Sequence, residues 1–275
     1  MQPTRRLIDP ALDAAFERDG YAVSPFLDGD GVARLLEVFR SLDNPAHRAA
    51  FGASILSGDL EYRRSVDREI KAVFAPKLDR VFNGYRHCFS NFVFKEPQAD
   101  GAPPLMGVVP LHQDLSVVDE TRYQSIGIWC PLVDVDTVNG CLRVVPGSHK
   151  LNAGPRGPGT PFPYDSLVPL FEASHLRAVP MKAGEAFLFC QKLFHTSAPN
   201  RGTAPRVVAG GLFAPREAQL YCYYQDPSSP ERMTVFEVDD LFYTRYIYGT
   251  RPEGVPVVGE IDYYYDPIAP ERLAG

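Results

Sequence analysis

His112-Gln113-Asp114 sets two metal-ligating side chains one residue apart, and His195 and Arg206, eleven residues further on (206 − 195), add a third ligand and a cation. In a strand, alternate side chains share a face, so His112 and Asp114 are expected to point the same way with Gln113 turned aside. The third ligand must come from elsewhere in the fold. His195 precedes Thr196-Ser197-Ala198-Pro199-Asn200, a polar stretch between two apolar runs that reads as a turn able to swing the imidazole inward. Two imidazoles and one carboxylate occupy one face of an octahedron and leave the other positions open, the arrangement that suits non-heme Fe(II) activating oxygen. A closed structural zinc site would need four protein ligands, usually with thiolates.

Arg206 opens an apolar run, residues 206–213, that reads as a buried strand behind a Gly/Pro turn. A guanidinium fork matches a carboxylate bidentately and stays charged at any working pH, so beside a metal it suggests a dicarboxylate cosubstrate held by its far end. Ser197, two residues past His195, could donate to the same carboxylate, although serines in such turns commonly bond backbone instead. Asn91 and Lys95 fall at strand spacing (91, 93, 95) ahead of the metal segment and could face the cavity, although an exposed strand face gives the same pattern and is the default reading.

These segments together resemble the phytanoyl-CoA dioxygenase family of Fe(II)- and 2-oxoglutarate-dependent oxygenases. The resemblance runs from about Phe16 to Phe213: Asp19-Gly20-Tyr21-Ala22-Val23 through Phe26-Leu27, Leu111-His112-Gln113-Asp114, Asn139-Gly140-Cys141-Leu142-Arg143-Val144-Val145-Pro146-Gly147-Ser148-His149-Lys150, then Phe194-His195-Thr196-Ser197-Ala198-Pro199-Asn200 and Arg206. A lone His-X-Asp is a weak motif; four segments in this order are specific. The resemblance implies a double-stranded β-helix, or jelly roll, with iron on His112, Asp114 and His195. It implies 2-oxoglutarate on Arg206, Ser197 and Trp129, an aromatic that by itself would read as core. It further implies O2 and a small-molecule substrate, hydroxylation as the expected outcome, and release of succinate and CO2. Related halogenases carry a small residue in place of the carboxylate, so Asp114 points to oxygenation. Jelly rolls also serve as cosubstrate-independent cupin-like metalloenzymes or small-molecule binding modules, and Arg206 is the residue that separates those alternatives from the oxygenase.

Composition is consistent with this. The chain has 275 residues, 45% of them hydrophobic, enough for one sizeable core, so a single domain is expected, with its core at about 16–215 and an aromatic-rich extension at 216–275. Lysine and arginine total 28 against 34 acidic residues, a net charge of −6 with no basic run, which argues against nucleic acid or an anionic membrane as partner. No stretch reads as a signal peptide or a membrane span, so a cytoplasmic protein is expected. Five scattered cysteines, Cys88, Cys130, Cys141, Cys190 and Cys222, read as reduced thiols.

The positioning elements are helices followed by strands. Val32, Leu35, Leu36, Phe39 and Leu42 predict an amphipathic helix capped by Asp28 or Asp30; Ile70, Val73, Phe74, Leu78 and Val81 predict a second, bent or split at Pro76. Runs at 89–94, 126–133, 141–145, 186–190 and 207–213 are short, β-rich and bounded by turn residues. The expected class is mainly β (α+β), with N-terminal helices backing the jelly roll. Residues 152–163 are dense in Gly and Pro, which makes 152–172 a candidate lid over the substrate mouth, with 98–109 a second rim candidate. The tyrosines and phenylalanines of the last fifty-odd residues suggest packing or a homodimer interface, with substrate contact open to a few that the sequence does not single out. His149 could compete for the metal on composition alone, but the resemblance implies a structural turn there; His47, His87 and His175 lack a carboxylate at ligand spacing.

Overall fold

Three aspartates start three helices. Asp9 accepts from the Ala11 and Leu12 N–H groups (2.7 and 3.1 Å) ahead of α1 (Pro10–Asp19), and Asp28 accepts from Gly31 (2.9 Å) ahead of α2 (Gly29–Ser41). Asp59 accepts from Glu61 and Tyr62, both at 3.0 Å, ahead of α3 (Leu60–Leu78). Each carboxylate satisfies N–H groups that a helix start leaves without intrahelical partners. The computed structural model describes residues 5–42, 44, 49–99, 101–151 and 154–269; His47, and positions 152 and 153 of the candidate lid, lie outside them.

The helix expected around 32–42 is α2, with Asp28 as its cap. The second expected helix differs: α3 begins ten residues earlier than the apolar pattern (70 − 60), runs unbroken through Pro76 and ends before Val81. Pro76 sits in the last turn, where its missing N–H removes one bond and leaves the rest of the ladder intact. Apolar spacing gives no notice of α1, whose start and stop lie in Asp9, Pro10 at the first helical position and Gly20, which closes the helix at φ 83°.

The strands form antiparallel sheets that pack as a jelly roll. Six strands lie in the order β1 (Tyr21–Pro25), β8 (Glu185–Cys190), β5 (Ile126–Pro131), β10 (Arg206–Pro215), β3 (Tyr85–Lys95) and β2 (Gly52–Ala53). Facing them is a four-stranded sheet, β4 (Val109–His112), β9 (His195–Ser197), β6 (Leu142–Val144) and β7 (Arg177–Val179). Strand alternation divides the core. Phe92, Phe94, Ile128, Leu188 and Ala209 point outward and pack with Val66, Ile70 and Phe74 of α3, whereas Trp129, Phe187, Phe189 and Val208 point inward to meet Leu142, Val144 and Val179. Each fully buried large side chain contributes roughly 1.5–3 kcal/mol, so the single row Val66, Ile70 and Phe74 is enough to fix α3 on the sheet. With both faces covered, β10 is buried along its whole length.

The aromatic tail is part of this core. Strands β11 (Leu220–Gln225), β12 (Arg232–Val238) and β13 (Val257–Asp262) form a third sheet, and the short α5 (Phe242–Arg245) follows β12. Leu220, Cys222, Phe236, Phe242, Tyr243 and Tyr246 pack against Cys88, Val117 and Leu212 at one end of the roll. Much of residues 152–172 is likewise tied down. Tyr164 and Phe171 are buried with Leu111, Val145 and Phe194, and Arg156 is buried against Glu120. All five cysteines are buried free thiols. No helix among the described residues is long and apolar enough to cross a membrane.

Candidate active site

Backbone register brings the two histidines together. β4 and β9 pair antiparallel with His112 opposite His195, and the imidazole centroids stand 4.2 Å apart. On its other side β9 pairs with β6, Val144 opposite His195. His195 therefore begins a buried strand held from both sides, where the polar sequence after it had suggested a turn. Strand alternation likewise fails to explain Asp114. β4 is irregular between Val109 and His112 and ends at His112, so Asp114 lies beyond the ladder. It is placed by backbone bonds instead: its N–H donates to the Gln191 carbonyl (3.0 Å) and its carbonyl accepts from Arg156 Nε (2.7 Å).

The donor set fits a metal ion. The Nδ1–H groups of His112 and His195 each donate to a backbone carbonyl, Pro110 and Leu193, both at 2.9 Å, which leaves each Nε2 lone pair for a ligand. Both Nε2 atoms converge on Asp114 Oδ1, at 3.6 and 3.9 Å, and one ligand atom from each residue lies within 4.8 Å of the others. Gln191, which no sequence signal singles out, supports the carboxylate: with its amide nitrogen turned toward Asp114 it donates to Oδ2 (3.1 Å) while its oxygen accepts from the Gly127 N–H (3.1 Å). Burial alone would favour a neutral carboxyl, but hydrogen bonding from His112 and the nearby positive charge, Arg156 included, hold Asp114 below its ordinary range. Burial and the neighbouring His112 push His195 down to about 4, so it is a neutral, ligating imidazole at pH 7. Among the described residues this is the one cluster of three histidine, cysteine or acidic side chains able to hold a metal.

Beside the triad lies a cationic end. Arg206 and Lys95 are register partners across β10 and β3, side chains on one face, only 1% and 0% exposed. Like charges set directly opposite on a sheet repel. Neither has an ion-pair partner among the described residues. Arg206 Nη1 donates to the Gly140 carbonyl (2.6 Å), its guanidinium lies 5.3 Å from the Trp129 ring centroid, and its buried Nε has no partner. Burial pushes Arg206 down to about 10, still charged at pH 7, and burial together with the Arg206 charge pushes Lys95 down to about 6. Lys95 sits behind Ser197, contacting its Oγ (2.7 Å) and the carbonyls of Ser197 and Ala198.

His112, Asp114, His195, Ser197, Trp129 and Arg206 all line one cavity of about 440 Å³, as does Asn91. The rest of its wall is mainly apolar: Phe51, Ile55, Leu56, Phe89, Val93, Leu115, Val117 and Leu212. The tail adds Tyr243, Tyr246 and Tyr248, a contribution that sequence composition marks only as an excess of aromatics. The candidate lid differs. No described residue of 152–172 lines the cavity; the segment packs behind the metal strands, where Arg156 anchors the Asp114 backbone. Of the described residues of 98–109 only Val109 reaches the cavity wall. His87 stacks on Phe213 and meets Ser90 Oγ at 2.7 Å, and His149 is buried against Gly20, so neither joins the triad.

With this geometry in hand, comparison with known proteins is informative. The sequence profile of the phytanoyl-CoA dioxygenase (PhyH) family matches residues 16–208. Curated relatives include a phytanoyl-CoA dioxygenase of Arabidopsis thaliana, 34% identical over 120 residues that make up 42% of this chain and 40% of that one, and phytanoyl-CoA dioxygenase 1 of Oryza sativa subsp. japonica, 30% identical over 143 residues, 50% of this chain and 49% of that one. The chain thus spans half or less of the length of these relatives. The crystal structure of the epimerase SnoN in complex with Fe3+, alpha ketoglutarate and nogalamycin RO superposes with a TM-score of 0.52 over 77% of this chain and 87% of SnoN at 23% identity. That of EctD from S. alaskensis with 2-oxoglutarate and 5-hydroxyectoine gives 0.52 over 80% of both chains, also at 23% identity. At that identity the likeness speaks for the fold.

Proposed function

The chain belongs to the phytanoyl-CoA dioxygenase family, and on that premise we propose that it is an Fe(II)- and 2-oxoglutarate-dependent dioxygenase that hydroxylates an unactivated carbon of a small-molecule metabolite or natural-product intermediate. The observation that carries this reading is the pairing of two incomplete sites in one cavity: three converging metal ligands, and beside them the buried, charged Arg206 guanidinium with no carboxylate among the described residues to meet it. Leaving buried charge uncompensated is costly, so a site built this way is suited to an anionic ligand.

In this proposal His112, Asp114 and His195 hold Fe(II), and Arg206, Ser197 and Trp129 receive the far carboxylate of 2-oxoglutarate. Bound together, iron and 2-oxoglutarate supply the oxidising chemistry, in which O2 and the cosubstrate are consumed, succinate and CO2 are released and one oxygen atom is added to the substrate. The chain's own residues do the positioning. Pro110 and Leu193 carbonyls fix the imidazole tautomers, Gln191 holds the carboxylate, and the Arg206 fork sets the cosubstrate's direction. The apolar wall excludes water and selects the substrate. Its charged residues are confined to the triad and Arg206, so the proposed substrate is uncharged and largely apolar; a coenzyme A thioester would find no further cation on the described wall. The whole chain acts as one catalytic domain, since the tail tyrosines complete the wall.

The test is the anaerobic visible absorption spectrum of protein loaded with Fe(II), before and after 2-oxoglutarate, for the wild type, Asp114→Ala and Arg206→Ala. A weak metal-to-ligand charge-transfer band in the wild type, diminished in both variants, supports the proposal. Iron binding without any band moves the assignment to a cosubstrate-independent cupin-like metalloenzyme, and no iron binding moves it to a small-molecule binding module.

A further inference from the structure

We propose that Asn91 and Tyr248 are the residues that read the substrate, and that the substrate is accordingly an uncharged, largely apolar molecule carrying hydroxyl, ether or carbonyl oxygen. This rests on the reading of the cavity as a joint 2-oxoglutarate and substrate site, and names the polar groups by which that site would select one apolar body over another.

Beyond the triad, its Gln191 support and the residues given to the cosubstrate, the polar side chains on the cavity wall are Asn91, Gln113, Thr196, Tyr243, Tyr246 and Tyr248. Most are spent inside the protein. Gln113 donates to the Lys192 carbonyl (2.8 Å), Thr196 to Val109 (2.6 Å), Tyr243 to Tyr221 (2.5 Å) and Tyr246 to Thr250 (2.6 Å). The Asn91 and Tyr248 side chains make no hydrogen bond with any described residue. Both are nonetheless held in place. Asn91 lies opposite Gly210, which in turn lies opposite Trp129; a Cβ at 210 would stand 3.1 Å from Asn91 Oδ1, so the glycine leaves the amide its room on the cavity floor. Asn91 is four residues along β3 from Lys95 (95 − 91), roughly 13 Å at 3.3 Å per residue, and so well away from the Arg206 end. Tyr248 stands at the mouth, lining the cavity while 51% exposed. The turn that presents it is closed by the Thr250 N–H and Oγ1, both donating to the Ile247 carbonyl (3.1 and 2.8 Å). Partial burial and the Asp114 carboxylate raise the Tyr248 phenol above its ordinary value, so at pH 7 it is a neutral O–H donor within electrostatic reach of the triad. It also lies beyond residue 208, where the family match ends, so what it reads belongs to this chain. An amide on the floor and a phenol at the mouth of an otherwise apolar wall fit neutral oxygen on the ligand; a plain hydrocarbon would leave the half-buried amide unpaired.

The experiment compares two volatile bicyclic probes: camphor, which has one carbonyl oxygen, and camphene, which has an exocyclic methylene and no oxygen. The proteins are wild type, Asn91→Leu, Tyr248→Phe and the double variant, loaded with 2-oxoglutarate and with Mn(II) in place of iron so that nothing turns over. Headspace gas chromatography gives the free concentration of each probe and hence its dissociation constant. Camphor should bind the double variant about tenfold more weakly, the loss expected when a carbonyl is left unpaired, with the single variants dividing that loss because one oxygen meets one donor at a time. Camphene and 2-oxoglutarate should each bind all four proteins within about twofold. Camphor binding that stays within twofold in the double variant, or falls together with camphene, overturns the proposal. So does a parallel loss of 2-oxoglutarate affinity, which would place the two side chains in the cosubstrate site. If 2-oxoglutarate loads but neither probe binds the wild type, the apolar-substrate reading fails and this inference with it. If the wild type takes up Mn(II) but not 2-oxoglutarate, the cosubstrate reading alone fails, and the same titrations without it still decide the roles of Asn91 and Tyr248. Should Asn91→Leu melt early, Asn91→Ala takes its place.

Discussion

Replacing Arg206 with methionine separates a ligand site from a structural cation. The guanidinium is 1% exposed, its Nε has no partner, and its one recorded hydrogen bond runs from Nη1 to the Gly140 carbonyl. Losing that bond costs about 1 kcal/mol, and relief of an unsatisfied buried Nε returns a similar amount. The variant should therefore melt within about 4 °C of wild type, given a chain of this size. Binding should respond quite differently. A bidentate carboxylate contact comprises two charge-assisted bonds of about 1.5 kcal/mol or more each, so 2-oxoglutarate should bind at least about 100-fold more weakly. Differential scanning calorimetry and a calorimetric titration with 2-oxoglutarate on the Mn(II) protein measure both numbers. A variant that loses ten degrees or more yet binds 2-oxoglutarate normally would refute the reasoning and make Arg206 a structural residue.

Glu120 and Arg156 form a buried bidentate pair, 2.7 and 2.8 Å, and Arg156 holds the Asp114 backbone, so Glu120→Gln should cost about 3–5 kcal/mol and weaken metal binding as well; an unchanged melting temperature would count against it. Phe194 is fully buried among Phe162, Tyr164 and Phe171, directly before His195, and Phe194→Ala should cost about 3–5 kcal/mol by denaturant titration. His149 is 5% exposed, with burial pushing it down to about 4, below the ordinary 6.5. Between those values the unfolded chain binds the proton first, so stability present above pH 6.5 is lost on acidification, by about 2 kcal/mol at pH 4.5. His149→Gln should remove that part of the pH dependence in melts taken from pH 7.5 to 4.5.

Local chemistry made much of this protein legible from sequence. The proposed ligand types are written in His112, Asp114 and His195, the proposed anchor in Arg206, the α2 cap in Asp28, and the buried strand β10 in its unbroken apolar run. Each depends on side-chain chemistry or on a period of two or 3.6 residues, properties that neighbours in the chain already define. Where the argument needed distance it failed. Alternation along a strand was the wrong reason for His112 and Asp114 converging, since the strand ends at His112 and Gln191 and Arg156 place the carboxylate. The Gly- and Pro-rich segment reads as a lid but packs behind the site, because its Tyr164 and Phe171 find apolar partners there. Only tertiary structure could set His195 opposite His112, 83 residues away (195 − 112), put Lys95 against Arg206, and bring the tail tyrosines to the cavity wall. Strand register and sheet packing are chosen by the burial of the whole apolar surface at once, and no short stretch of sequence contains that sum.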